Sequence, residues 1–150
     1  MAGKTSEGAG FTDAEKAAMK QRADELKSMK GLKGLAKIEK ENQACLDAIA
    51  ALEGTDRLIG ERVHVIVLEE APHLNPKTFY GFPAYAKDGK VVVFYQPASK
   101  FSTRYGTVSF DETAQLDDGP MWPVSFAVID MTDAVEQRIR ELVRAAAPRD

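Results

Sequence analysis

Rings and cations crowd the middle of this chain. Phe79, Tyr80, Phe82 and Tyr85 precede a valine-rich run, Lys100, Phe101, Arg104 and Tyr105 follow it, and Trp122 stands between Met121 and Pro123. Such a mixture suits recognition. An exposed ring supplies an apolar wall, and a planar guanidinium takes a carboxylate or phosphate bidentately. Strand alternation sends some of these rings into a core. Tyr80, Tyr85, Lys100, Arg104, Tyr105 and Trp122 are the residues expected to line a groove for a small anionic ligand or a peptide.

A second group is acidic. Residues 111–133 hold six acids and no base. Asp111, Glu112, Asp117 and Asp118 have the chemistry to hold a hard cation, because carboxylates and loop carbonyls suit Ca²⁺, Mg²⁺ or iron. The spacing is not that of an EF-hand loop. Asp117-Asp118-Gly119-Pro120 is equally an ordinary turn, with Asp folding back onto its own backbone.

Other chemistries find little support. There is no G-x-G-x-x-G, no G-x-x-x-x-G-K and no G-x-S-x-G, so dinucleotide, P-loop and nucleophile-elbow sites are not indicated. His64 and His73 lack the i, i+4 spacing of a zinc helix pair, and Cys45 has no second thiolate near it. His64 is expected on a helix opposite its apolar stripe and His73 in a loop, both structural or at the surface. Cys45 falls on an apolar helix face and is read as a buried, inert thiol.

The elements that position these groups fit one domain. A chain of 150 residues with 44% hydrophobic residues can bury a core, and a single Cys excludes an internal disulfide, which fits a reducing cytoplasm. Net charge of −3 argues against nucleic-acid binding, and no apolar run is long enough for a membrane span. Residues 1–33 read as a flexible, basic arm containing a helix, and residues 1–10 as disordered. Thr12-Asp13-Ala14-Glu15 is a capping box opening a helix to about Met29. Its stripe of Met19, Ala23 and Leu26 is thin, so this helix is expected to dock loosely or to serve a partner. Gly31 and Gly34 break it.

Residues 34–147 form the main α+β domain. Ile38, Cys45, Ile49 and Leu52 mark one helix. Ile59, Val63, Ile66 and Val67 mark a second, with Thr55 or Asp56 as its cap. Val135, Ile139, Leu142, Val143 and Ala146 mark a last one, capped by Thr132 or Asp133. Between them lie short β-rich runs at Lys77–Gly81, Pro83–Ala86, Lys90–Tyr95, Arg104–Phe110 and Val124–Ile129, with Asp88-Gly89 as a hairpin turn. Short connections imply an antiparallel meander of four to five strands, packed against N- and C-terminal helices that cover one face. The other face is expected to be partly open for binding.

These residues also resemble a known family. Thr78-Phe79-Tyr80-Gly81-Phe82-Pro83-Ala84-Tyr85-Ala86-Lys87-Asp88-Gly89-Lys90-Val91-Val92 is similar to the signature of the YdhG-like proteins, a bacterial family of largely unassigned function. Lys100-Phe101, Thr103-Arg104-Tyr105 and Leu116-Asp117-Asp118-Gly119, with Met121-Trp122-Pro123, resemble one branch of it. The resemblance covers about residues 35–147. It implies a curved antiparallel sheet packed on helices, and for some members a frataxin-like iron chaperone role based on surface carboxylates. Three readings follow. The first is a non-enzymatic binding domain with no resident cofactor, taking a small molecule or a peptide. The alternative is an iron chaperone using Asp111, Glu112, Asp117 and Asp118. An enzyme ranks last, because no nucleophile–base pair is legible. A second copy of the chain is a further candidate partner.

Overall fold

The computed structural model describes residues 12–29 and 34–149. The expected disorder of residues 1–10 and the break at Gly31 lie outside the described residues. In chain order the elements are α1 (Asp13–Met29), α2 (Gly34–Ala50), α3 (Gly54–Glu70), β1 (Asn75–Phe79), β2 (Phe82–Lys87), β3 (Lys90–Gln96), β4 (Gly106–Phe110), β5 (Ser125–Val128) and α4 (Asp133–Ala146). All five strands pair antiparallel in the order β1-β2-β3-β4-β5. The fold is therefore α+β, an open antiparallel meander flanked by helices.

The apolar periodicities fall where packing requires them. Cys45 and Ile49 of α2, Ile59, Val63, Ile66 and Val67 of α3, and Ile139, Leu142, Val143 and Ala146 of α4 are buried against one face of the sheet. That face supplies Tyr85, Val93, Tyr95, Val108, Phe110 and Val128. Along β4 the alternation is clean: Gly106, Val108 and Phe110 are buried, while Thr107 and Ser109 are half-buried. In β3 the register against β2 slips, with Tyr85 opposite Val93 and Ala86 opposite Val91. This bulge lets consecutive Val92 and Val93 both join the helix-side core, which explains the unbroken apolar run.

Helix ends follow the sequence only in part. Thr12 and Glu15 form the expected capping box, with Thr12 N donating to Glu15 Oε1 (2.9 Å) and Glu15 N to Thr12 Oγ1 (3.0 Å). Thr132 Oγ1 caps α4 by accepting from Val135 N at 3.2 Å. Neither Thr55 nor Asp56 caps α3, whose N-cap position is Glu53 with no side-chain bond. Asp56 is used elsewhere: its carboxylate accepts from Ser99 N (3.1 Å) and its carbonyl from Tyr95 Oη (3.1 Å). The start of α3 is thereby tied to the β3–β4 connection.

Charge joins α3 to α4. Arg62 forms a bidentate pair with Glu136, at 3.0 and 2.7 Å. Arg140 reaches Glu136 (3.0 Å) and Glu70 (3.0 Å), and Arg144 reaches Glu70 (2.9 Å). Among the described residues, no helix is long and apolar enough to cross a membrane.

Candidate functional site

β1 ends at Phe79 and β2 begins at Phe82, so Tyr80-Gly81 is a two-residue hairpin turn. Both residues are left-handed, with φ of 53° and 81°, as the twist of a tight hairpin demands. Glycine accepts this freely. A bulky Tyr does so only against roughly 1–3 kcal/mol of strain, the kind of outlier found at ligand clamps. The turn sets the Tyr80 ring edge-on to Phe79, centroids 4.7 Å apart, and leaves 37% of the residue exposed.

From that turn an aromatic layer spreads over the sheet face away from α3 and α4. Phe79 and Phe82 both contact Phe94, at 5.4 and 6.4 Å between centroids, and Phe101 meets Phe82 at 5.6 Å. This second face is not bare. Helix α1 crosses it, with Ala18 only 3% exposed. Gln21 Oε1 accepts from Lys100 Nζ at 3.0 Å, and the Arg22 guanidinium lies 5.7 Å from the Phe79 ring centroid. A long bond of 3.5 Å runs from Arg22 to the Thr78 carbonyl. Among its described side chains the helix docks through Ala18, Gln21 and Arg22; of the expected stripe, Met19 and Ala23 stay exposed and the side chain of Leu26 lies outside the described residues.

Between α1 and the sheet remains a groove of about 240 Å³, lined by Glu15, Ala18 and Met19 on one side and by Tyr80, Phe82, Gln96 and Phe101 on the other. Lys100 stands at its edge, its Nζ 6.0 Å from the Phe82 ring centroid. The absence of a Cβ on Gly81 also leaves room for two flexible side-chain ends. A Cβ at this position would run into the Gln21 amide and the Lys100 ammonium.

The remaining expected groove residues divide. Arg104 is exposed and its guanidinium stands 5.2 Å from the centroid of the half-exposed Tyr105 ring. Both belong to the β3–β4 connection that carries Lys100, where the single Thr103 hydroxyl proton lies within reach of the carbonyls of Tyr105 (2.9 Å) and Ala98 (3.2 Å). Trp122 is half-buried in the β4–β5 connection and, among the described residues, makes no ring contact with the groove aromatics. Tyr85 corrects the expectation outright. It is fully buried on the helix side of the sheet, because its pairing opposite Val93 points it into the core.

Tyr85 serves a different arrangement, which also revises His64. Rather than facing away from the packed side, the half-buried His64 places Nδ1 3.0 Å from Tyr85 Oη. Cys45 Sγ donates to the same oxygen at 3.9 Å. All three groups are satisfied when Tyr85 donates to Nδ1, leaving the His64 proton on Nε2. Burial lowers the His64 pKa, which favours the neutral ring. Burial also pushes the Cys45 thiol up to about 11. Against an ordinary thiol at 9.0, its thiolate fraction at neutral pH is about a hundredfold smaller. Native protein should therefore resist a thiol-disulfide reagent such as Ellman's, and react fully once unfolded in guanidinium. Rapid labelling of the folded chain would contradict the inert reading.

Asp111, Glu112, Asp117 and Asp118 are all exposed in the β4–β5 connection. Asp111 Oδ1 accepts from the backbone N–H of Glu112 (2.9 Å), an ordinary turn bond. Among the described residues, no three His, Cys, Asp or Glu side chains come together as a metal-holding group. His73 was not legible as a special position, yet both its ring nitrogens are enclosed without a hydrogen-bond partner among the described residues.

No family model matches the chain, and neither a curated protein nor a solved structure does.

Proposed function

We propose that this is a non-enzymatic binding domain, of the YdhG-like kind that its Tyr80 to Tyr85 block resembles, and that it holds an acidic peptide in the groove at Tyr80, Phe82 and Phe101. The observation that carries this reading is the aromatic second face, with a cation at its edge and room left beside it. A volume of about 240 Å³ falls below the roughly 300–1,000 Å³ of small-molecule pockets. It suits one or two apolar side chains of a peptide, with Lys100 at its edge to meet a carboxylate. Strain held at Tyr80, whose ring lines the groove, supports the same assignment. The one chain linking a thiol to an imidazole, Cys45–Tyr85–His64, is a satisfied structural contact with a protonated sulfur.

Selection of a random peptide library on immobilised protein tests the reading. The expected consensus joins an aromatic or aliphatic residue to Asp or Glu. On a Lys100→Glu variant the acidic preference should vanish or invert. Failure to enrich any sequence, or an identical consensus on both proteins, would sink the assignment.

A further inference from the structure

We infer that α1 is the groove's own pseudo-ligand, and that the partner it gives way to is an amphipathic helix carrying a carboxylate where α1 carries Gln21. This rests on the groove reading above and adds to it what partly covers the site and what would uncover the rest.

The contacts of α1 make the case. Among its described side chains the one well-buried apolar group is Ala18, while Met19 is 39% exposed. Its other described contacts with the sheet are polar anchors at Gln21 and Arg22, which water can replace. The helix carries its own capping box, so its first turn is stabilised without the sheet. A segment with these properties is poised to leave as a helix.

The cradle that Gln21 enters shows what replaces it. Gly81 lacks a Cβ at the point where one would lie 2.7 Å from the Gln21 side-chain carbon and 2.8 Å from Lys100 Nζ. The space thus admits the flat end of an amide or a carboxyl group beside an ammonium. At present Lys100 donates to a neutral amide oxygen. A Glu in that place would accept the same bond with full charge, and such charge-assisted bonds are roughly twice as strong as neutral ones. The chain's own helix is therefore a built-in but imperfect occupant. A helix that repeats its small residue and replaces the amide with a carboxylate fits the same seat better.

The test uses the full chain and two labelled synthetic peptides spanning residues 12–29, one with the parent sequence and one with Gln21→Glu, followed by fluorescence anisotropy. Ala18→Glu places a charge in the apolar seat and expels the resident helix; Gln21→Ala removes the anchor without adding charge and serves as the second opening variant. Either opened chain should bind the Gln21→Glu peptide about tenfold tighter than the parent does, because a site mostly occupied in cis loses apparent affinity by its closed fraction. The full chain carrying Gln21→Glu should bind it more weakly than the parent. The parent-sequence peptide should bind the opened chains less well, with the gap shrinking as salt is raised. Equal binding to parent and opened chains would overturn the pseudo-ligand while leaving the groove intact. Equal binding of the two peptides would overturn the carboxylate preference. Absence of binding to both opened variants, with hydrogen exchange showing α1 released, would overturn the groove reading itself.

Discussion

Tyr85→Ala is expected to lower the unfolding free energy by about 3–5 kcal/mol, the range for deleting a large buried ring from a core. Tyr85 is 0% exposed and packs among Cys45, Val63, Val93 and their neighbours, so little can collapse into the space it leaves. Tyr85→Phe isolates the hydroxyl. It keeps the ring but takes the partner from His64 Nδ1 and Cys45 Sγ, for an expected loss of about 1–3 kcal/mol. Urea unfolding of both variants measures this. The phenylalanine variant should also leave peptide selection unchanged, since the hydroxyl lies on the helix side of the sheet. A Tyr85→Ala protein as stable as the parent would mean that the register between β2 and β3 is wrong. Loss of peptide binding in Tyr85→Phe would return Tyr85 to the groove.

Acid should loosen the seam between α3 and α4. Arg62 and Arg140 hydrogen-bond Glu136 and hold its carboxyl down to about 2, against an ordinary 4.5. Arg144 and Arg140 lower Glu70 in the same way. A depressed folded-state pKa means that the unfolded chain takes up its proton first as pH falls. The stabilisation is fully present above about pH 4.5 and is lost as pH drops toward about 2. His64 adds an earlier contribution of the same sign, because burial lowers its pKa from 6.5 and protonation favours the unfolded chain below that value. Chemical denaturation at stepped pH should show stability falling through the carboxyl window, and Glu136→Gln should flatten that limb. Superimposable profiles for parent and variant would show that the arginines do not hold Glu136.

What could be read from the sequence depended on whether burial or polarity placed a residue. The stripes of α2, α3 and α4 emerged because apolar burial repeats with the helical period, and their core positions follow from it. Asp88-Gly89 was legible as a turn because both residues tolerate the left-handed backbone they adopt, with φ of 52° and 81°. Tyr80-Gly81 uses the same turn but was absorbed into a strand ending at Gly81, since nothing about Tyr announces a positive φ. The face occupied by Tyr85 was misjudged because Pro83-Ala84-Tyr85-Ala86 is apolar on both sides, and only pairing to Val93 decides its direction. The seat of α1 was missed for another reason. Its described contacts, through Ala18, Gln21 and Arg22, have no hydrophobic period to detect. Lys100 and Tyr80 were expected to point outward, and the structure sets both around Phe82. Arg104 and Tyr105 stand as a separate pair on the same connection.

The meander also bears on how the chain is made. Every strand pairs with the one synthesised just before it, and β1 to β3 are joined by two-residue turns. Pairing of this kind closes only short loops, so the β layer can zip up in order, even on a chain still emerging from the ribosome. The Arg62–Glu136 clasp spans 74 residues and has no partner until α4 has been translated. With the Arg144–Glu70 pair, it can close only after the β layer has been made.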